Sequence, residues 1–302
     1  MGRKEEQAQA LGYKKRWGDR RDGRRLRQID GMHAYMPFLM KNRCDAEVYI
    51  NEEFDLTELA HYLERKNGPD APYKMTMFHV CVAAIAKVVR MRPYLNRYIA
   101  GKRMYQRDRM TVAFVAKRRF VDHSEEALMI LECKDDMTVQ DIGRKIVGDV
   151  HQAREAKGGT ADAALDILKK LPRFLVSLFV WFQRVSDYWD FYPRVLMDAD
   201  TNFVSVLVSN LGSIKCGAPY HHLQNFGTNG VVVTIGEMKE KFVLQADGTT
   251  EKRVVCDFGF TLDERIGDGF YFARSVKLYE WLLQHPEMLE KQIQEEIPYE
   301  PR

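Results

Sequence analysis

Leu262-Asp263-Glu264-Arg265-Ile266-Gly267-Asp268-Gly269 is the stretch that decides how this 302-residue chain is read. Taken alone it is a helix-entry turn: a strand ends, charges alternate in sign, and Asp268-Gly269 supplies the turn and cap for a helix starting near Tyr271. It also presents a carboxylate, Glu264, at a strand end. In water a glutamate titrates at about 4.3, and burial where polarity is low raises that value by several units. Asp263 and Asp268 add negative field nearby unless Arg265 offsets it.

Upstream, Val254 to Thr261 and Val231 to Ile235 read as strands joined by a hairpin tipped by Ala246-Asp247-Gly248-Thr249. Phe203 to Val208 has strand pattern, and Leu128 to Glu132 is a short strand. Tyr98 to Met104 and Met110 to Ala116 read as paired strands, the second alternating Val112, Phe114 and Ala116. Ala46 to Ile50 is a strand leading to a helix capped by Asp55 and running to about Lys66. Met77 through Met91 carries Phe78, Val82, Ile85, Val88 and Val89 at helical spacing, with Pro93 beyond its end. Thr138 caps a helix from Val139 toward Ala156, ended by Gly158-Gly159. Ala161 to Arg194 is helical, interrupted at Pro172 and Pro193. Hairpins mixed with helices predict an α/β architecture in two layers, a mixed β-sheet with helices packed on it. Neither a repeat nor a linker divides the chain, so residues 1–22 read as a basic N-terminal arm and 23–302 as a single domain.

An apolar fraction of 45% with 11% aromatic residues places the chain among globular proteins and against general disorder. The net charge of +3 hides an arm crowded with Arg3, Lys4, Lys14, Lys15, Arg16, Arg20, Arg21, Arg24, Arg25 and Arg27. The arm reads as solvated or as wrapping another subunit, with no nucleic-acid partner expected. Five scattered cysteines without C-x-x-C spacing suggest neither disulfides nor zinc and fit a reduced, cytoplasmic setting. The other histidines lie outside any ligand pattern, so no metal is inferred. Leu171 to Phe182 is the most apolar run, about a dozen residues against the roughly 20 that span a bilayer. It reads as a helix packed in the core or against another subunit, and membrane contact is not expected.

Several segments in order carry a resemblance over roughly residues 23 to 295. They are Tyr49-Ile50-Asn51-Glu52-Glu53-Phe54-Asp55-Leu56-Thr57-Glu58-Leu59, Arg92-Pro93-Tyr94-Leu95-Asn96, Val112-Ala113-Phe114-Val115-Ala116, Val208-Ser209-Asn210-Leu211-Gly212, and Asn225 through Gly236. Together with the 262–269 segment they resemble the trimeric CoA-dependent acyltransferases. That group comprises the chloramphenicol acetyltransferases and the catalytic domains of the E2 acyltransferase components of 2-oxo acid dehydrogenases, the second being the nearer match. There the signature reads His-x-x-x-Asp-Gly, and here Glu264 stands at the histidine.

The resemblance implies the CoA-dependent acyltransferase fold, a homotrimer or a larger assembly of trimers with clefts between subunits, and acyl transfer from a coenzyme A thioester to a small-molecule acceptor. It implies Glu264 as base, Ser209 as the hydroxyl that stabilises the oxyanion with Asn210 beside it, and Asp268 as a structural residue held by an arginine among Arg24, Arg25 and Arg27. His221 and His222, between Ser209 and the Asn225 strand, are substitute candidates for the base. No lipoyl domain precedes residue 23, so the chain is expected to carry no lipoyl group of its own. Three readings remain open: an acyltransferase of modified chemistry, an inactive homologue serving as an oligomeric scaffold or binding module, and, against the expectation of no membrane contact, peripheral membrane attachment through the basic arm and the Leu171 to Trp189 region.

Overall fold

A computed structural model describes residues 13–117, 126–155 and 169–300. In chain order the elements are β1 (Gly23–Arg25), α1 (Gly31–Leu39), β2 (Glu47–Asp55), α2 (Thr57–Lys66), α3 (Met77–Met91), β3 (Arg97–Ala100), β4 (Arg103–Arg107), β5 (Thr111–Lys117) and β6 (Glu126–Glu132). They continue with α4 (Val139–Glu155), α5 (Arg173–Tyr188), α6 (Arg194–Ala199), β7 (Val206–Asn210), β8 (Val231–Leu244), β9 (Thr250–Asp263) and α7 (Gly269–Gln284). The six-stranded sheet runs β2-β9-β8-β7-β5-β6, and a three-stranded sheet runs β1-β4-β3. In the larger sheet β7 pairs parallel with both β5 and β8, and the remaining pairs are antiparallel. It is the mixed sheet with helices on it that the element pattern predicts.

Alternation along the strands assigns the two faces. Val206 and Val208, Val231, Val233 and Ile235, and Phe258, Phe260 and Leu262 point to one face and form the core with residues of α3 and α7. Phe54 of β2 stacks on Phe258 at 4.8 Å and lies 6.1 Å from the Tyr279 ring of α7. Each such side chain contributes about 1.5–3 kcal/mol on burial. α3 is buried along its length from His79 to Val89, as a helix apolar on every side must be. Lys87, the exception on it, donates to the carbonyls of Gln292 (2.7 Å) and Glu295 (2.6 Å), tying the C-terminal segment to the central helix. At the start of α3 the His79 Nδ1 accepts from the Thr76 amide at 3.2 Å. Burial pushes the His79 imidazole down to about 4, so this cap is made by the neutral ring.

Several sequence expectations are corrected. Tyr98 to Met104 does not run straight to pair with the next strand: it folds back at Gly101 and Lys102, both with positive φ (+53° and +58°), so β3 pairs with β4. Positive φ at two adjacent residues makes the tight turn suited to the twist of a hairpin. β5 pairs instead with β6 and β7. β8 and β9 are longer than expected and, with β7 stopping at the Asn210–Ile235 pair and β2 at the Asp55–Val255 pair, extend beyond the sheet as a two-stranded ribbon from the Glu240–Val254 pair on. Of the N-terminal arm, residues 13–22 are docked on the chain itself. Arg20 is buried, 2.8 Å from Asp187 and 3.1 Å from Asp22. Most of the 161–194 helical expectation holds in α5 and α6, while 156–168 lies outside the described residues, as does the Gly158-Gly159 break.

Candidate functional site

The site begins where β9 ends. Asp263, its last residue, is buried and accepts three hydrogen bonds from Arg265: the backbone amide (3.1 Å) and Nε (2.8 Å) on Oδ1, and Nη2 (2.7 Å) on Oδ2. Arg43, fully enclosed, brings its Nε to 3.6 Å from the same carboxylate. Arg43 also donates to the carbonyls of Gln224 and Gly227, each at 2.7 Å, and Arg265 donates to that of Met40 at 3.1 Å. Burial pushes the Arg43 guanidinium down to about 10, opposed by Asp263, so it remains charged near neutral pH. Two cations on one carboxylate leave the turn locally positive, and the negative field that Asp263 would impose on Glu264 is offset.

The next three residues, Glu264–Ile266, form a 3-10 turn. Arg265 and Ile266 are buried, whereas Glu264 is half-buried and its carboxylate makes no hydrogen bond or ion pair among the described residues. Asp268 then caps α7, its Oδ1 accepting from the Tyr271 amide at 2.7 Å. The structure gives Asp268 no arginine partner among the described residues. Arg25 and Arg27 engage Asp19 and Trp17 of the arm, and Arg24 lies 5.2 Å over the Tyr13 ring.

Ser209 lies on the other face of the sheet from the core. Cross-strand pairing places Ser209, Thr234, Gly259 and Asn51 in one row across β7, β8, β9 and β2. The segment after Gly212 covers that row: Thr234 Oγ1 donates to the Pro219 carbonyl at 2.7 Å, and Asn51 Nδ2 to that of Ala218 at 3.3 Å. A Cβ on Gly259 would come within 2.5 Å of Thr234 Oγ1 and 3.1 Å of the Pro219 carbonyl, so the close approach of the loop requires glycine there. Asn210 points to the opposite side of the sheet from Ser209, and its Oδ1 is buried without a hydrogen-bond partner among the described residues.

These registers fix how far apart the candidates are. From Gly259 to Asp263 is four residues along β9, and β7 is two strands away, so the Ser209 and Asp263 backbones are separated by about 16 Å within one chain. Ser209 and Glu264 are therefore not brought together in one copy.

The loop that carries His221 and His222 runs between them. Tyr220 packs on Tyr49, their rings 5.1 Å apart, and the Leu223 amide donates to Glu47, the residue paired with Asp263. Both histidines are exposed, with ring centroids 5.1 Å apart. His221 Nδ1 lies 2.9 Å from the His222 carbonyl. A carbonyl only accepts, so Nδ1 is the donor in this contact, and in the neutral ring that leaves the lone pair on Nε2.

Sequence reasoning missed Arg43 and the structural importance of Asp263. The signal for Asp263 is the Asp-x-Arg spacing inside the opening segment, since a side chain two residues on can return to a strand-terminal carboxylate. Arg43 carries no such signal, because its partners lie from 181 (Gln224) to 220 (Asp263) positions away in the chain.

The fold is that of the CoA-dependent acyltransferase cores, a class defined by this mixed sheet and its helices. No protein-family model matches the chain, and no curated protein matches its sequence. Among solved structures, a probable dihydrolipoamide acetyltransferase from Listeria monocytogenes superposes with a TM-score of 0.58 at 15% identity, over 87% of this chain and 95% of that one. The dihydrolipoamide acetyltransferase of Azotobacter vinelandii gives 0.57 at 15% identity, covering 88% and 94%. The cubic core of a pyruvate dehydrogenase multienzyme complex gives 0.56 at 12%, covering 88% and 94%. The likeness spans nearly the whole of each of these cores.

Proposed function

We propose that this chain transfers an acyl group from a coenzyme A thioester to a small-molecule hydroxyl, amine or thiol, at a cleft completed by a second copy. Glu264 of one copy acts as general base and Ser209 of another supplies the oxyanion donor. The observation that carries this reading is the separation of about 16 Å within one chain between the backbones of Ser209 and Asp263, the residue before Glu264, in a fold shared with acetyltransferase cores. A trimer, or a multiple of trimers, is the assembly that places such a cleft between every pair of copies.

In the reaction Glu264 takes the acceptor proton as the acceptor heteroatom attacks the thioester carbonyl. The negative charge that develops on the carbonyl oxygen accepts a hydrogen bond from the Ser209 hydroxyl. Collapse of the tetrahedral intermediate breaks the carbon–sulfur bond, and the departing thiolate of coenzyme A recovers the proton from Glu264. Arg43 and Arg265 keep Asp263 from opposing the charge on Glu264, and Asp268 fixes the start of α7 behind it.

A second reading is favoured by the tautomer of His221. With Nε2 free, the histidine pair can supply the base in place of Glu264. Release of the coenzyme A thiol in the presence of acceptor distinguishes them. Under the first reading Glu264→Gln lowers kcat by about a hundredfold or more while His221→Ala and His222→Ala leave it near wild type. The opposite pattern transfers the role to the histidines. Failure to bind acyl-CoA in calorimetry leaves the oligomeric scaffold, and a monomer in light scattering removes the shared cleft.

A further inference from the structure

The sequence places Leu171 to Phe182 in a core or against another subunit, yet α5 buries only Ser186. Phe174 is 69% exposed, Leu178 57%, Trp181 60% and Phe182 61%. At 100° per residue these four, with Leu175 and Phe179, occupy one arc of about 160°. Arg173, Ser177 and Arg184 lie on the other side of the helix. From Lys169 to Ser186 the chain carries Lys169, Lys170, Arg173 and Arg184 and no aspartate or glutamate.

The exposed apolar surface continues past the helix through Trp189, Phe191, Val195 and Leu196. The basic arm is fastened to the same end. Arg20 Nη1 donates to the Asp187 carbonyl at 2.6 Å, the Arg21 amide to Asp190 at 3.1 Å, and Arg194 Nη1 to the Arg21 carbonyl at 3.3 Å. Those bonds set the exposed Trp17, Arg16 and Arg21 beside the C-terminal end of α5.

We propose that α5 and the adjoining arm form a surface that docks this protein on an anionic lipid bilayer. A helix with a wide aromatic and aliphatic arc, flanked by cations, lies in the plane of the headgroups with its apolar side at the acyl boundary. The lysines and arginines then meet lipid phosphates, each adding to the attraction. A second copy laid on the same helix would bring Lys169, Lys170, Arg173 and Arg184 against the same four cations, and Asp187, the one carboxylate on the helix, is already engaged by Arg20. At 16 residues α5 is too short to cross a bilayer, and no described helix is long and apolar enough to do so, which fits a surface mode of attachment. The inference is independent of the acyl-transfer reading.

Flotation of the full chain with phosphatidylcholine vesicles, and with vesicles in which roughly one-third of the lipid is phosphatidylglycerol, tests it. The chain floats with the anionic vesicles, stays behind with the neutral ones, and is released by salt of about 0.5 M. Leu178→Glu with Phe182→Glu reduces the bound fraction at least about tenfold, with circular dichroism and oligomer size unchanged. Lys169→Gln with Arg173→Gln weakens binding to the anionic vesicles while the fold persists. The proposal is overturned if the wild-type chain fails to float, if the paired glutamates float like wild type, or if they break a larger oligomer into a smaller one, which assigns the helix to another copy.

Discussion

The turn from Asp263 to Asp268 and the helix α5 stand in opposite relations to water. In the turn, charge is inside: one carboxylate and two guanidiniums are buried together, each held by hydrogen bonds to the others or to main-chain carbonyls. On α5, apolar surface is outside, with phenylalanine, leucine and tryptophan facing solvent. Both arrangements reverse the usual partition of residues. The difference is that the turn is satisfied within the chain and α5 is not. An ion cluster complete in itself holds geometry, whereas an apolar helix without a cover implies an occupant. The first is a candidate for positioning chemistry and the second for positioning the whole molecule.

The sharpest way to break this contrast is Asp263→Asn, which strands two buried cations. Removing one partner of a buried ion pair costs about 3–5 kcal/mol, and urea denaturation of the variant should register a loss of that order. A result under 1 kcal/mol, about the worth of a surface pair, would show that the cluster is wet and not a buried frame.

His79 supplies the next effect. Its folded value near 4 is depressed from 6.5, so the folded state resists a proton that the unfolded chain accepts. Stability from this group is complete above about 6.5 and is lost as pH falls toward 4, on the order of 3 kcal/mol in all. His79→Gln, which cannot titrate, should flatten that slope in denaturation midpoints measured between the two pH values, if His79 is its source.

Asp268→Ala removes a helix cap and should lower stability by about 1 kcal/mol in the same measurement. Phe182→Ser on α5 should change it least, within about 0.5 kcal/mol, since the side chain is in solvent already. A large loss from Phe182→Ser would place α5 in a packed interface and erase the contrast.

Much of the fold was legible in the sequence, for identifiable reasons. α3 matches its predicted bounds because Phe78, Val82, Ile85, Val88 and Val89 recur at helical spacing and Pro93 follows its end. Thr138 announces a helix start and makes one, its Oγ1 accepting from the Asp141 amide, whereas Asp55 is one residue early: it ends β2, Leu56 is the cap residue of α2, and Asp55 accepts from the Thr57 amide and hydroxyl. The β3–β4 turn was hidden because Gly101-Lys102 lacks the Asn-Gly that advertises such turns and sits inside an otherwise continuous strand run. Of the site, local pattern yields the cap at Asp268 and the turn around Glu264. It does not yield Arg43 on Asp263 or the distance from Ser209 to Glu264, which depend on strand order. Periodicity likewise shows which residues of α5 share a side and is silent on what covers that side.

The ribbon made by the far ends of β8 and β9 has a consequence for solubility. From Met238 onward β8 has no third strand beside it among the described residues, so its amides and carbonyls present an unsealed border to other chains. Phe242 and Leu244 stand exposed there and would favour accretion. Lysines and glutamates intervene: Lys241 meets Glu53, Lys252 meets Glu240, and Arg253 meets Glu251. A strand from another molecule would have to lay its own side chains beside these charges in order to zip on. The charges at this border, spent on neither the core nor the site, keep the hairpin from becoming the seed of a fibre.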